Sequence, residues 1–483
     1  MDYLQMSIHS IQQAQQDRRI SAHELTEMYL QQIERHNCAG AGINAIRELN
    51  SHALEIAKDL DEKRSKGTLM GPLHGIPIVL KDNICTNDGM RTTVGSIAFS
   101  NFIPMKDAFL VKRLREAGAI ILGKANLAEF TDVMSDRVAS DFSAVGGRVK
   151  NPYGFDYGRG GTCGSSVGSA AATAAGFCAA SIGSETTSSI QDPACTTSLV
   201  GLKPTVPLVS RAGIVPNCSS HDVAGPITRC VADAAVILGV IAGVDFDDTQ
   251  TLAAAGHAMN DYVSSLRVDS LVGARIGIPR DVYFDNLDED EQRITEECIE
   301  AMRAFGCIII DPVDIPTARE VATLRSSVLR NEFKDGLNAW LRSLGDQAPV
   351  GSLAELIEFN KRDPDTRMPY GQVLFEMAES MPGVSSASYQ ADRYKDIVLS
   401  RTAGIDAVMD AYQLDALLSP QAKASKMSGK AGYPVIAVPA GFKKDGRPVG
   451  ITFFGKAYSE SKLLNLAYSF EALTKIRRAP KLG

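Results

Sequence analysis

Histidine is scarce in this chain of 483 residues: seven occur, and none follows His257. A hydrolase of the nucleophile-elbow type needs an acid and then a histidine downstream of its serine, so that arrangement has little material to work with. There is no H-E-x-x-H and no local cluster of His, Cys or carboxylate at ligand spacing, which removes a metal hydrolase. The nine cysteines are scattered, odd in number and free of any C-x-x-C pair. Reduced thiols in a cytosolic protein fit that pattern better than a disulfide framework or a zinc cage. A basic excess is also missing, since 50 Lys and Arg face 57 Asp and Glu for a formal net charge of −7. Nucleic-acid binders carry a cationic stripe, and none is visible. The opening residues MDYLQMSIHSIQQAQQDRRI hold no apolar core of signal-peptide length. The most membrane-like run, 169–182, is mostly alanine and falls short of the ~20 apolar residues that a span requires. It reads instead as a buried helix packed closely through small side chains. The expectation is a cytoplasmic chain with neither nucleic acid nor membrane among its partners.

What is present is ordinary folded-protein composition, 45% hydrophobic and 22% charged. Ser21 and Glu24 form a capping box, and Leu25, Met28, Tyr29 and Ile33 mark one helical face, so residues 1–65 are expected to form a helical segment packed on the rest. From Pro72 onward short apolar runs alternate with helical patterns. Strands are expected at 76–80, 119–122, 272–278 and 307–310, with a helix at 109–117 and another along Ile294, Cys298, Ala301 and Phe305. Two apolar stretches around Lys444-Asp445-Gly446 read as a hairpin. Residues 313–400 are polar and helical. Alternation of this kind predicts an α/β fold, one large domain over residues 1–483 with a mixed sheet covered by helices.

Two familiar motifs fail on their context. Gly118-x4-Gly123-Lys124 resembles a phosphate loop, but Ala125 stands where a hydroxyl should hold magnesium, and the middle residues Ala-Ile-Ile-Leu read as a strand. Gly164-Ser165-Ser166-Val167-Gly168 fits G-x-S-x-G, yet Gly and polar residues precede it where an apolar strand is required.

Two stretches are dense in Ser, Thr and Gly, one from Thr162 to Ser169 and the other from Gly183 to Ile190. Helix caps and turns use such residues too, so density alone does not decide. Lys81 adds a third element, because it directly follows the apolar run 76–80. Most strand-end lysines are solvated, but one at the end of a fully buried strand loses hydration of its charged form. Lowering a lysine pKa from about 10.4 to 7 or 8 costs roughly 4 kcal/mol and yields a usable general base. Serines could then relay protons in a chain so poor in histidine.

These residues lie in segments that together resemble the amidase signature family from about Ser21 to Pro480. The segments are Gly75-Ile76-Pro77-Ile78-Val79-Leu80-Lys81-Asp82-Asn83, Gly123-Lys124-Ala125-Asn126, CGSSVGSAAA from Cys163, and GLKPT from Gly201. VSRAGIVP from Val209, GPITR from Gly225, and AGYPVIAVPAGF with RPVGITFFG complete the ordered set. The CGSS spelling, Glu185 and Met368-Pro369-Tyr370-Gly371-Gln372 look most like the branch of peptide amidases and plant amidase-like proteins.

The resemblance implies a twisted mixed sheet with helices on both faces and a Ser–cis-Ser–Lys triad that needs no cofactor and no metal. The family's lysine falls on Lys81, its nucleophile on Ser189 and its bridging serine on Ser165. Ser166 is the neighbour with which Ser165 could be exchanged in alignment. The implied oxyanion donors are the backbone N–H groups of Thr186, Thr187, Ser188 and Ser189, supported by Gly164, Ser166, Gln191 and Asp192. The implied reaction is acyl transfer from a small carboxamide or peptide C-terminal amide to water. Residues 313–400 are expected to line the substrate pocket, and a homodimer is among the assemblies the sequence allows. The chain departs from the pattern at Thr187-Ser188, where Asp-Gly is usual; a serine there is strained if its φ is positive. Gln191-Asp192 and three extra residues in the run 154–161 are further departures. Three alternatives stand beside hydrolysis: transfer of the acyl group to an amine, an impaired member that only binds amides, and an amidotransferase A subunit with obligate partner chains. The residues of the peptide-amidase branch speak against the last.

Overall fold

An apolar run such as Ile76-Pro77-Ile78-Val79-Leu80 has no polar face to show to water, so it is stable only where both sides of its sheet are covered. The computed structural model, which describes residues 2–155 and 164–482, places it there. In chain order the strands are β1 Ile46–Leu49, β2 Ile76–Lys81, β3 Ala119–Ala125, β4 Phe142–Ser143, β5 Gly147–Arg148, β6 Ala180–Glu185 and β7 Val200–Lys203. They continue as β8 Val223–Thr228, β9 Arg275–Gly277, β10 Ile308–Ile310, β11 Ala416–Pro420, β12 Val435–Phe442 and β13 Pro448–Phe454. Eleven of them form one sheet in the order β1-β3-β2-β6-β8-β7-β12-β13-β11-β9-β10, while β4 and β5 make a small separate pair. β2 runs parallel to both β3 and β6, whereas β6 is antiparallel to β8. Every residue of β2, β3, β6, β8, β11 and β13 is buried, so helices cover both faces. The fold is a single α/β domain around a mixed sheet, as the alternating pattern predicts.

The capping box at Ser21 opens the helix Ala22–His36, with both reciprocal hydrogen bonds made. The opening segment is not purely helical, however: it also supplies β1. The Asn37 side chain clamps Ile46 through both of its backbone groups at 2.8 Å, which turns the chain from the helix into the sheet.

The alanine run differs from its expected form. The helix Val167–Ala174 ends before the run does, and from Ala180 the chain is strand β6. Gly176 is the cause: it sits at φ 72° while the Phe177 N–H reaches back to the Ala172 carbonyl at 2.9 Å. This is a left-handed helix stop that glycine makes at no steric cost. The strand expected at 272–278 shrinks to β9, because Val272 and Ala274 bond back to Asp269 and Leu271 in turns. Residues 119–124 of the rejected phosphate-loop motif lie in β3, as their apolar middle predicts, and the hairpin of β12 and β13 closes through Gly446 at φ 91°.

Residues 313–400 form helices that include Val328–Leu344, Leu353–Lys361, Val373–Glu379 and Ala387–Ile397. Phe333 and Phe375 pack on Phe130, with ring centroids 6.3 and 5.1 Å away, and pin the first and third of these helices over the loop that follows β3. Among the described residues no helix is long and apolar enough to cross a membrane.

Gly168 lets the helix Val167–Ala174 lie against the chain at Asn126 and Ala45; a Cβ there would run into both of their carbonyl oxygens. Gly168→Ala is therefore expected to cost about 1–3 kcal/mol, the usual penalty of overpacking, read as a lower urea midpoint at unchanged m-value.

Candidate functional site

β2 ends by carrying Lys81 into the interior, where its side chain is 0% exposed. Its Nζ donates to Ser165 Oγ at 2.7 Å and to the Ser184 carbonyl at 2.9 Å. Burial drives its pKa from 10.5 down to about 7, against the opposing pull of Asp132, Asp222 and Glu185. An amine in that range is available as a free base at neutral pH.

Ser165 follows a cis peptide bond from Gly164. Gly164 is pressed so tightly on Ser140 that a Cβ would overlap its backbone. Ser166 has a different task from its neighbour. Its hydroxyl donates to the Ser184 carbonyl at 3.1 Å and accepts from the Ser184 N–H at 3.3 Å, while its own N–H donates to the Ser189 carbonyl at 3.2 Å. The lysine thus meets Ser165, and Ser166 ties β6 to the loop that carries Ser189. Thr162, Cys163 and the extra residues of the 154–161 run that follow Phe155 lie outside the described residues.

The second Ser-rich stretch leaves β6 at Glu185. The buried Glu185 carboxylate accepts from the N–H groups of Ile190 at 2.7 Å and Gln191 at 3.0 Å, and also from the Gln191 side chain. Gln191 in turn donates to the Thr187 carbonyl at 3.3 Å. These bonds fold the chain back and leave 186–189 as a tight loop. Among the described residues no acceptor meets the backbone N–H groups of Thr186, Thr187, Ser188 or Ser189. Ser188 does not adopt a positive φ, so the serine in place of the usual glycine carries no left-handed strain. Ser189 is buried, and Thr187 and Ser188 are half-buried. The Asp192 N–H donates to the Ser188 carbonyl at 2.9 Å. Burial pushes the Asp192 carboxyl up to about 8, with the Ser188 hydroxyl opposing the shift.

A cleft of about 1040 Å³ opens here, lined by Asn83, Thr131, Ser184, Thr186, Asn217 and Asp222 on its polar side. Apolar wall comes from Ile214, Val215 and Trp340. From 313–400 the cleft takes Gly336, Trp340, Ser343, Leu344 and Gln347, so one helix and the turn after it stand in for the whole region. Asn83, Thr131, Asn217 and Asp222 escaped the sequence reading. They are single polar residues in loops, outside both hydroxyl-rich stretches, and only Asn83 had a signal, its place two residues after Lys81.

The profile of the Amidase family matches residues 24–464. A probable amidase of Arabidopsis thaliana is 37% identical over 98% of this chain and 91% of its own length. The structure of native peptide amidase from Stenotrophomonas maltophilia superposes with a TM-score of 0.94 at 38% identity, covering 100% of this chain and 99% of that one. An amidase family protein from Bacillus anthracis gives a TM-score of 0.92 at 35% identity, covering 99% and 92% of the two chains.

Removing the Glu185 carboxylate strands three buried donors at once. Glu185→Ala is expected to destabilise the fold by about 3 kcal/mol or more, since each unsatisfied buried group costs ~1–3 kcal/mol. Chemical denaturation checks this, and Glu185→Gln should lie between the two because it keeps one acceptor oxygen.

Proposed function

Because the chain belongs to the amidase family and is an amide-hydrolysing enzyme, we propose that it cleaves a small carboxamide or a peptide C-terminal amide through Lys81, Ser165 and Ser189. The observation that carries this reading is the 2.7 Å contact between a fully buried amine and the Ser165 hydroxyl. The unclaimed N–H groups of the adjoining loop support it. Similarity to a peptide amidase supports the C-terminal amide, and the apolar cleft wall suits a side chain next to the scissile bond.

Neutral Lys81 takes the proton of Ser165 as Ser165 takes that of Ser189, and Ser189 Oγ bonds to the amide carbonyl carbon. The developing oxyanion is held by the N–H groups of Thr186, Thr187, Ser188 and Ser189, donors already in place before charge appears. The C–N bond then breaks as the proton returns from Lys81 through Ser165 to the leaving nitrogen. Water, deprotonated by the same relay, cleaves the Ser189 ester and releases the acid. The Ser184 carbonyl accepts one lysine N–H, which turns the nitrogen toward Ser165.

A fluorophosphonate probe is expected to label Ser189, and Ser189→Ala to lose both labelling and ammonia release from N-acetyl-phenylalaninamide. Lys81→Ala should lower kcat/KM by about 10²–10⁴-fold, the range of general acid–base contributions. As the base must be neutral, kcat/KM should rise through a limb near pH 7, where Lys81 loses its proton, and fall below it. Turnover that survives Ser189→Ala, or a flat profile from pH 5 to 9, overturns the proposal. Addition of hydroxylamine should divert product to the hydroxamate without changing the rate of amine release, which separates an acyl-enzyme from direct attack by water.

A further inference from the structure

Asp222 lies in the segment just before β8, and its carboxylate is fully engaged. Oδ1 accepts the Thr186 hydroxyl at 2.6 Å, and Oδ2 accepts the N–H groups of Asn217 at 2.8 Å and Cys218 at 2.7 Å. The direction of these bonds is fixed. A carboxylate only accepts, so Thr186 must donate to it, and the Thr186 oxygen is left to accept from Asn217 Nδ2 at 3.1 Å. The same Nδ2 donates to Thr131 Oγ1 at 3.0 Å. Thr131 belongs to an unusual run, Phe130, Thr131 and Asp132, in which three consecutive non-glycine residues have φ of 45°, 55° and 78°. Such backbone persists only where the surroundings hold it. One connected network therefore joins three separate segments, at 130–132, 217–222 and 186, and all three line the cleft. Its only covalent tie to the nucleophile loop is Thr186, the first of the four residues with unclaimed N–H groups.

We propose that Asp222 is a positioning residue for the amide-cleaving reaction: through the Thr186 hydroxyl it fixes the entry of the 186–189 loop, and with it the direction of the N–H groups that receive the oxyanion. This rests on the Ser189 reading above. Without the carboxylate, the Thr186 hydroxyl loses its acceptor and the entry of the loop loses this anchor, while the bonds from Gln191, Asp192 and Ser166 still hold the carbonyls of Thr187, Ser188 and Ser189. The charge has a second effect. Lys81 is faced by Asp132 from the turn after β3, by Glu185 from the end of β6 and by Asp222, each of which raises its pKa against the larger effect of burial. The cation that acts on Asp222 is Arg211, itself paired with Asp248 at 2.5 Å, and it lowers the Asp222 pKa against burial. Burial holds the Asp222 carboxyl near 6, so it is ionised at pH 7 and above.

Three variants of the full chain test this: Asp222→Asn, Thr186→Val and Thr186→Ser. Asp222→Asn and Thr186→Val are expected to lower kcat on N-acetyl-phenylalaninamide about 10- to 100-fold, the scale of a small misplacement of reacting groups, with KM little changed. Their affinity for the aldehyde N-acetyl-phenylalaninal, whose adduct places an oxyanion in the same site, should fall by a similar factor. Thr186→Ser keeps the hydroxyl and should restore both quantities. The acid limb of kcat/KM should move to lower pH in Asp222→Asn, because a negative charge that favoured the Lys81 ammonium is gone, and stay in place in Thr186→Val, which keeps the charge. An unmoved limb in Asp222→Asn, or wild-type aldehyde affinity in either Asp222→Asn or Thr186→Val, overturns the inference even if the thermal midpoint drops. Should Asp222→Asn fail to fold, the contrast between Thr186→Val and Thr186→Ser decides alone. Activity that survives Ser189→Ala would instead remove the reading beneath it.

Discussion

The withdrawal of the Lys81 ammonium from water is the constraint on which the site depends. Elsewhere a buried lysine sits directly on a carboxylate, Lys430 on Asp396 at 2.7 Å, in an ordinary ion pair. Among the described residues Lys81 donates to a hydroxyl and a carbonyl and to no carboxylate, and its three acidic neighbours act across a distance. Desolvation is then only partly offset and favours the free amine. Lys203, also 0% exposed, is lowered to about 8 by the same effect, but among the described residues its Nζ donates to the carbonyls of Pro204 and Tyr433 and to no hydroxyl. Burial makes the base; a serine within reach makes it useful.

The scaffold brings that serine within reach by parallel pairing. β2 and β6 run side by side with Leu80 opposite Ile182, so Lys81, one residue further along β2, comes within reach of the carbonyl of Ser184, two residues further along β6. The Ser184 carbonyl then serves two donors, the lysine and the Ser166 hydroxyl. One backbone oxygen thus coordinates the end of β2, the start of the helix Val167–Ala174 and the end of β6. Any slip of β6 along β2 would separate the groups at once, which explains the close glycine contacts around the helix that braces them.

Much of this was legible in the sequence because burial leaves a strong mark. A run of five apolar residues ending in lysine announces β2, and a serine pair beside a small-residue helix announces its partner. The choice between Ser165 and Ser166 was not legible, since adjacent residues differ only in the direction their hydroxyls take. The alanine run was misread as one helix because alanine suits helix and crowded strand alike, and a single Gly176 decides between them. Asp222 and Asn217 were invisible for a related reason. Their meaning lies in contacts across three loops, and a lone polar residue in a loop has no periodicity to betray it.

The sheet's two outermost members are both short: β10 has three residues and β1 four, the latter with an irregular register against β3. A wide sheet with long free rims would invite strands from other molecules to add by backbone pairing. Here each rim offers too few unpaired groups to seed such growth, so a chain that devotes its middle to precise chemistry is guarded at its margins against polymerisation.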